Sequence, residues 1–145
     1  MSDNRTLHIE RTFQAPAEAV FDAWSNEEVL RRWWHTESGW ETAAAEVDLR
    51  IGGVVRVVMR DPDKDVEYGG GGNYTEIDRP TRLAFTWIWD GDTRGTLIEL
   101  DFQESDGVTM VRFTHSGLWD EQSVRAHEDG WSKLFARLER TLAAA

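Results

Sequence analysis

Apolar positions along the chain recur first with the period of a strand, then with that of a helix, then as a run of strands, and last as a long helical stripe. In TLHIERTF (6–13), Leu7, Ile9 and Phe13 fall on or near one face with polar residues between them, which predicts a strand. Pro16 suits the first turn of a helix whose apolar stripe is Val20, Phe21 and Trp24. Ser25 and Glu28 have the S-x-x-E spacing of a capping box, so a second short helix is expected to start there. On it Val29, Leu30, Trp33 and Trp34 recur at intervals of four as two adjacent rows, which turns both tryptophans inward.

From about residue 41 the period changes to two. AAAEVDLR leads to the turn signal Gly52-Gly53, and VVRVVMR then places Val55, Val57 and Met59 on one face and Arg56 and Arg60 on the other. DPDKD (61–65) predicts the next turn and NYTEI (73–77) the next strand, with the glycine run 69–72 before it read as a bulge or a close approach of backbones. Pro80 breaks the chain ahead of RLAFTWIW, where Leu83, Phe85, Trp87 and Trp89 alternate with Ala84, Thr86 and Ile88. TLIELDF and VTMVRFTH follow, joined through Ser105, Asp106 and Gly107, which makes six or seven antiparallel strands.

The last segment is helical. Asp120 is placed to cap it, and Trp119 and Val124 occupy the two positions of a hydrophobic staple. His127, Trp131, Leu134, Phe135, Leu138 and Leu142 form its stripe over residues 120–142. Gly130 inside this helix predicts close backbone packing or a slight bend. A helix with so wide an apolar face needs a sheet to cover it, and an antiparallel sheet with one apolar face needs such a cover. The expected fold is therefore α+β: a curved antiparallel sheet around a long C-terminal helix, with two short helices after the first strand closing one end.

Composition narrows the function classes. A length of 145 residues with 40% hydrophobic content is the size of a single domain, expected over 1–145. The 27 acidic residues against 16 basic ones give a formal charge of −11, which repels the phosphates of nucleic acid and anionic membrane surfaces. Without cysteine there is neither a disulfide framework nor a thiolate nucleophile. The start, MSDNRTLHIE, has no charged-then-apolar leader, and no apolar run approaches the length of a membrane span; a soluble, cytoplasmic protein is expected.

Several chemical motifs can be set aside. Asp61, Asp63 and Asp65 have the first spacings of a calcium loop, but Val66 stands where its glycine should be and Gly72 where its closing glutamate should be. The glycine run is not followed by the Lys-Ser or Lys-Thr of a phosphate loop. The four histidines, His8, His35, His115 and His127, lack metal-ligand spacing, and no metal or cofactor is expected.

The motifs APAEAVFDAWSNEEVLRRWW, DLRIGG, RPTRLAFTWIW, THSGL and HEDGW, in this order, resemble the START-like helix-grip superfamily (SRPBCC), specifically its branch of activators of heat-shock-protein ATPase. The resemblance runs from about Leu7 to Leu142. It implies a seven-stranded sheet around the final helix, with a deep cavity between them that takes lipids, hormones or polyketides in related branches. It fixes no reaction.

Such a cavity, bounded by the final helix and the inner sheet face, is expected to draw on Trp33, Trp34, Trp40, Val57, Met59, Phe85, Trp87, Phe113, His115, His127 and Trp131. Trp33 and Trp34 read foremost as core packing, with one of them near the cavity; Trp40, in a connecting loop, either folds over the mouth or marks a contact patch. His115 and His127 read foremost as hydrogen-bonded core histidines, and otherwise as a pair that orients a polar ligand group. Glu46 and Asp48 fall on the outer face by parity. No nucleophile with an adjacent base can be read. The leading expectation is binding of a small apolar or aromatic ligand with one polar handle. A chaperone partner is the second, as the family's name implies for larger relatives, and a cyclase- or hydrolase-like reaction in the same cavity is the third.

Overall fold

The computed structural model describes residues 5–144; residues 1–4, where the stretch read as lacking a leader begins, lie outside them. The elements are β1 (Arg5–Phe13), α1 (Ala17–Ser25), α2 (Glu27–Trp33), β2 (Glu41–Val47), β3 (Val54–Asp61), β4 (Val66–Asp78), β5 (Arg82–Trp89), β6 (Thr96–Ser105), β7 (Val108–Leu118) and α3 (Glu121–Ala143). All seven strands form one antiparallel sheet in the order β1-β7-β6-β5-β4-β3-β2, which with α3 makes the α+β helix-grip fold expected. Sequence neighbours β1 and β2 stand at opposite edges, so the α1–α2 crossover traverses the width of the sheet. No helix among the described residues is long and apolar enough to cross a membrane.

Caps decide where the helices begin. α2 is capped by Asn26, not by the Ser25 of the S-x-x-E spacing: the Asn26 Oδ1 accepts from the backbone N–H of Glu28 at 2.9 Å and of Val29 at 3.3 Å. Ser25 instead donates its hydroxyl to the Phe21 carbonyl, closing the last turn of α1. Pro16 sits at the cap of α1 and has no side-chain acceptor; Glu104 of β6 accepts the Ala17 N–H at 2.7 Å in its place. Asp120 caps α3 through the Ser123 N–H at 2.7 Å, with Trp119 and Val124 half-buried against the core on either side.

The glycine run lies inside one long strand rather than ahead of a short one. β4 runs unbroken from Val66 and carries a register shift further on, between Tyr74 and Glu76. Backbone proximity explains the composition: a Cβ on Gly70 would lie 2.6 Å from the Trp87 ring, and one on Gly72 would collide with the Thr86 carbonyl oxygen. The expected close approach is present, without a break in the strand.

The core is aromatic. Trp24, 1% exposed, stands with its ring 4.8 Å from Trp33, 5.7 Å from Phe135 and 5.9 Å from Trp131, which ties α1, α2 and α3 together. Trp33 is fully buried and donates its indole N–H to the Ala23 carbonyl at 2.9 Å. Both members of the Trp33–Trp34 pair therefore point inward.

Candidate functional site

Between α3 and the concave face of the sheet lies a cavity of about 250 Å³. Helix α3 contributes Ala126, His127, Gly130, Trp131 and Leu134, spaced as successive turns present them to one side. Strands β3 and β5 contribute Met59 and Trp89, and the chain just past α2 contributes Trp34 and Thr36. No side chain on this wall carries a full charge. Gly130 leaves room rather than marking close packing, because a Cβ added there would meet nothing within 4 Å.

Of the residues nominated from sequence, Trp34, Met59, His127 and Trp131 line the cavity. Trp33, Val57, Phe85, Trp87, Phe113 and His115 are buried in the core around it, each at most 1% exposed. Trp40 joins neither set: its ring stacks on Tyr68 of β4 with centroids 5.5 Å apart and planes 6° from parallel. Thr36, Trp89, Ala126, Gly130 and Leu134 complete the wall. Trp89 and Leu134 were visible in their periodic stripes, whereas nothing in the local pattern marks Thr36 or Ala126.

His115, fully buried, and His127, half-buried, are both engaged by tryptophan. An indole N–H can only donate, so the nitrogen it meets must be unprotonated. Trp131 donates to Nδ1 of His115 at 3.1 Å, which leaves the proton on Nε2 to be given to the Thr96 hydroxyl at 2.8 Å. Thr96 in turn donates to the Trp87 carbonyl at 2.7 Å. Trp89 donates to Nε2 of His127 at 3.0 Å, and the His127 Nδ1–H goes to the Ser123 carbonyl at 2.7 Å. The two imidazoles meet edge to face at 5.0 Å and carry opposite tautomers.

Burial acts in the same direction as these bonds. It lowers the pKa of His115 to about 3, with a smaller push from the neighbouring His127. His127 is also lowered by burial, against an opposing pull from the Ser123 carbonyl. Both rings are neutral at neutral pH, and neither has a free nitrogen with which to take or give a proton. His115 is a hydrogen-bonded core histidine; His127 is hydrogen-bonded but only half-buried, and it presents its ring to the cavity.

The chain between α2 and β2, which contributes Thr36 to the wall, is tied to its surroundings. Glu37 reaches Lys133 of α3 at 3.0 Å, and Lys133 also pairs with Asp129 at 3.3 Å. Thr42 at the start of β2 donates to the Trp34 carbonyl at 3.0 Å and fixes the turn that presents Trp34 and Thr36. Glu46 and Asp48 are exposed, as their parity indicated.

The model of the family described as activator of Hsp90 ATPase homolog 1-like protein matches residues 14–143. The chain belongs to that family. Among solved structures, this family member is similar to the AHSA1 protein from Silicibacter pomeroyi, with 27% identity, 97% of this chain and 99% of that one covered, and a TM-score of 0.84. It is similar to the AHSA1-like protein from Aeromonas hydrophila at 26% identity, with 97% and 93% covered and a TM-score of 0.83. A protein from Chromobacterium violaceum shares its fold at 20% identity, with 94% and 96% covered and a TM-score of 0.86. No curated protein matches the sequence significantly.

Proposed function

We propose that this member of the family is a cytoplasmic binding protein that takes a small apolar or aromatic ligand into the cavity beneath α3. The observation that carries the reading is the wall itself: three indoles, a methionine and a leucine around about 250 Å³, with no charged side chain among them. Such a space disfavours water, which finds few polar partners, and favours an apolar guest that recovers dispersion contacts with the rings. Its volume lies just under the ~300–1,000 Å³ of pockets that enclose drug-sized ligands, which suits a molecule of one or two rings. The helix-grip architecture, a ligand-binding fold in general, supports the same reading.

Tryptophan emission tests it, because Trp34, Trp89 and Trp131 are on the wall. Titration with small aromatic compounds is expected to change the emission saturably, and the same titration of Trp131→Ala to lose much of that response. A linear, non-saturating response from every compound would refute cavity binding. The family description points to the other reading, stimulation of the Hsp90 ATPase. Stimulation by this chain that survives filling of the cavity would favour that role instead.

A further inference from the structure

The polar groups around the cavity differ in what they have left to give. The indole N–H groups of Trp89 and Trp131 are spent on His127 and His115, and both nitrogens of His127 are taken. Among the described residues, three buried polar atoms in the core have no partner, Trp24 Nε1, Trp87 Nε1 and the Tyr74 hydroxyl, and none of these residues is on the cavity wall. Trp34 is a different case. Its indole N–H has no partner among the described residues, is not one of those sealed-off atoms, and belongs to a ring that lines the cavity. Two residues on, Thr36 lines the same cavity, and its hydroxyl makes no side-chain hydrogen bond among the described residues.

Resting on the cavity-binding reading above, we infer that Trp34 and Thr36 select the ligand's polar handle, and that this handle is a neutral hydrogen-bond acceptor such as a ketone, ester or ring ether. An indole N–H donates only, and a hydroxyl donates or accepts, so an acceptor satisfies both groups while a ligand offering only donors leaves Trp34 unpaired. An ionised handle is disfavoured for a separate reason. No wall residue carries a charge to compensate it, and Lys133, one residue before the wall's Leu134 on α3, is already held by Glu37 and Asp129. Carboxylates, including fatty acids, are therefore poor ligands despite their apolar bodies.

Three probes on one ring system separate these statements: naphthalene, 2-acetonaphthone and 2-naphthoate, measured by equilibrium dialysis at neutral pH. The ketone is expected to bind about three- to tenfold more tightly than naphthalene, the range of one or two modest hydrogen bonds, and naphthoate roughly a hundredfold more weakly than the ketone. Thr36→Val, which keeps the shape, is expected to remove most of the ketone's advantage and leave naphthalene binding unchanged. The indole N–H resonances of a ¹⁵N-labelled sample give a readout that folding defects do not imitate: the Trp34 signal moves downfield with the ketone and not with naphthalene. Equal binding of all three probes, a tight naphthoate complex, or a Trp34 signal that responds identically to ketone and hydrocarbon overturns the selection of an acceptor while leaving cavity binding intact. If none of the three binds, cavity binding falls and this inference with it.

Discussion

Trp131 donates its indole N–H to Nδ1 of His115 at 3.1 Å, and because an indole cannot accept, that bond exists only while the imidazole is neutral. His115 is wholly buried, so protonating it would both strand a charge in an aromatic core and evict its donor.

This gives the protein an acid limb of stability with a defined direction. The folded pKa of His115 is lowered to about 3, whereas the unfolded value is about 6.5, so between those limits the unfolded chain holds a proton that the folded chain does not. The contribution is full well above pH 6.5 and falls as the pH drops toward 3, by about 1 kcal/mol per unit for this residue, and His127 adds in the same direction. Urea unfolding between pH 7.5 and 5 is expected to show that slope, and His115→Gln, which keeps an acceptor and a donor but cannot titrate, to flatten it.

Trp131 packs on Phe113 at 4.7 Å and on Trp34 at 5.3 Å, and is 4% exposed. Trp131→Ala is expected to cost about 3–5 kcal/mol of stability, the usual loss for truncating a buried large aromatic, measured as a shift in denaturant midpoint. A cost under about 1 kcal/mol would mean that α3 does not depend on this contact.

Gly130→Ala should separate stability from binding. Alanine is favoured over glycine within a helix by about 0.5–1 kcal/mol, and the added methyl meets open space. The variant is expected to melt higher than the parent while binding two-ring aromatics more weakly, because the methyl occupies part of the cavity. Calorimetry and equilibrium dialysis on one preparation decide it; a lower melting temperature would show that the helix needs glycine for its path.

Gly72→Ala should do the opposite. Its Cβ would run into the Thr86 carbonyl of the neighbouring strand, where the backbone has nowhere to move without disturbing the ladder. Destabilisation of about 1–3 kcal/mol is expected, readable by thermal unfolding, with no gain in helix propensity to offset it.

The strands and helices were legible because one-sided burial writes a period into the sequence: Leu83, Phe85, Trp87 and Trp89 alternate since one face of β5 meets the core. Where Ser25 and Asn26 stand side by side, both capable of capping, local pattern could not choose, and the choice fell to Asn26. The early part of β4 was missed because glycine has little strand propensity, and the reason for it, contact with Trp87 and Thr86, lies on another strand. The cavity wall was read only in part for the same kind of reason. Thr36 sits in a non-periodic loop, and Gly130 looks alike in sequence whether it faces a tight contact or a void. The pairing of each histidine with a tryptophan joins His115 to Trp131 and Trp89 to His127, matches made by the sheet's curvature and by no local spacing.

The placement of β1 at the sheet's edge has a consequence for how the protein is made. Among the described residues its only strand partner is β7: Phe13 meets Thr109 and Arg5 meets Leu118. During synthesis β1 leaves the ribosome with its amide groups unpaired and must wait for β2 to β7 to follow before its ladder can form. Contacts so distant in sequence slow folding, since a large loop must close before any of them is gained. The charged residues Glu10 and Arg11, set between Ile9 and Phe13, give that waiting strand protection against pairing with another nascent chain.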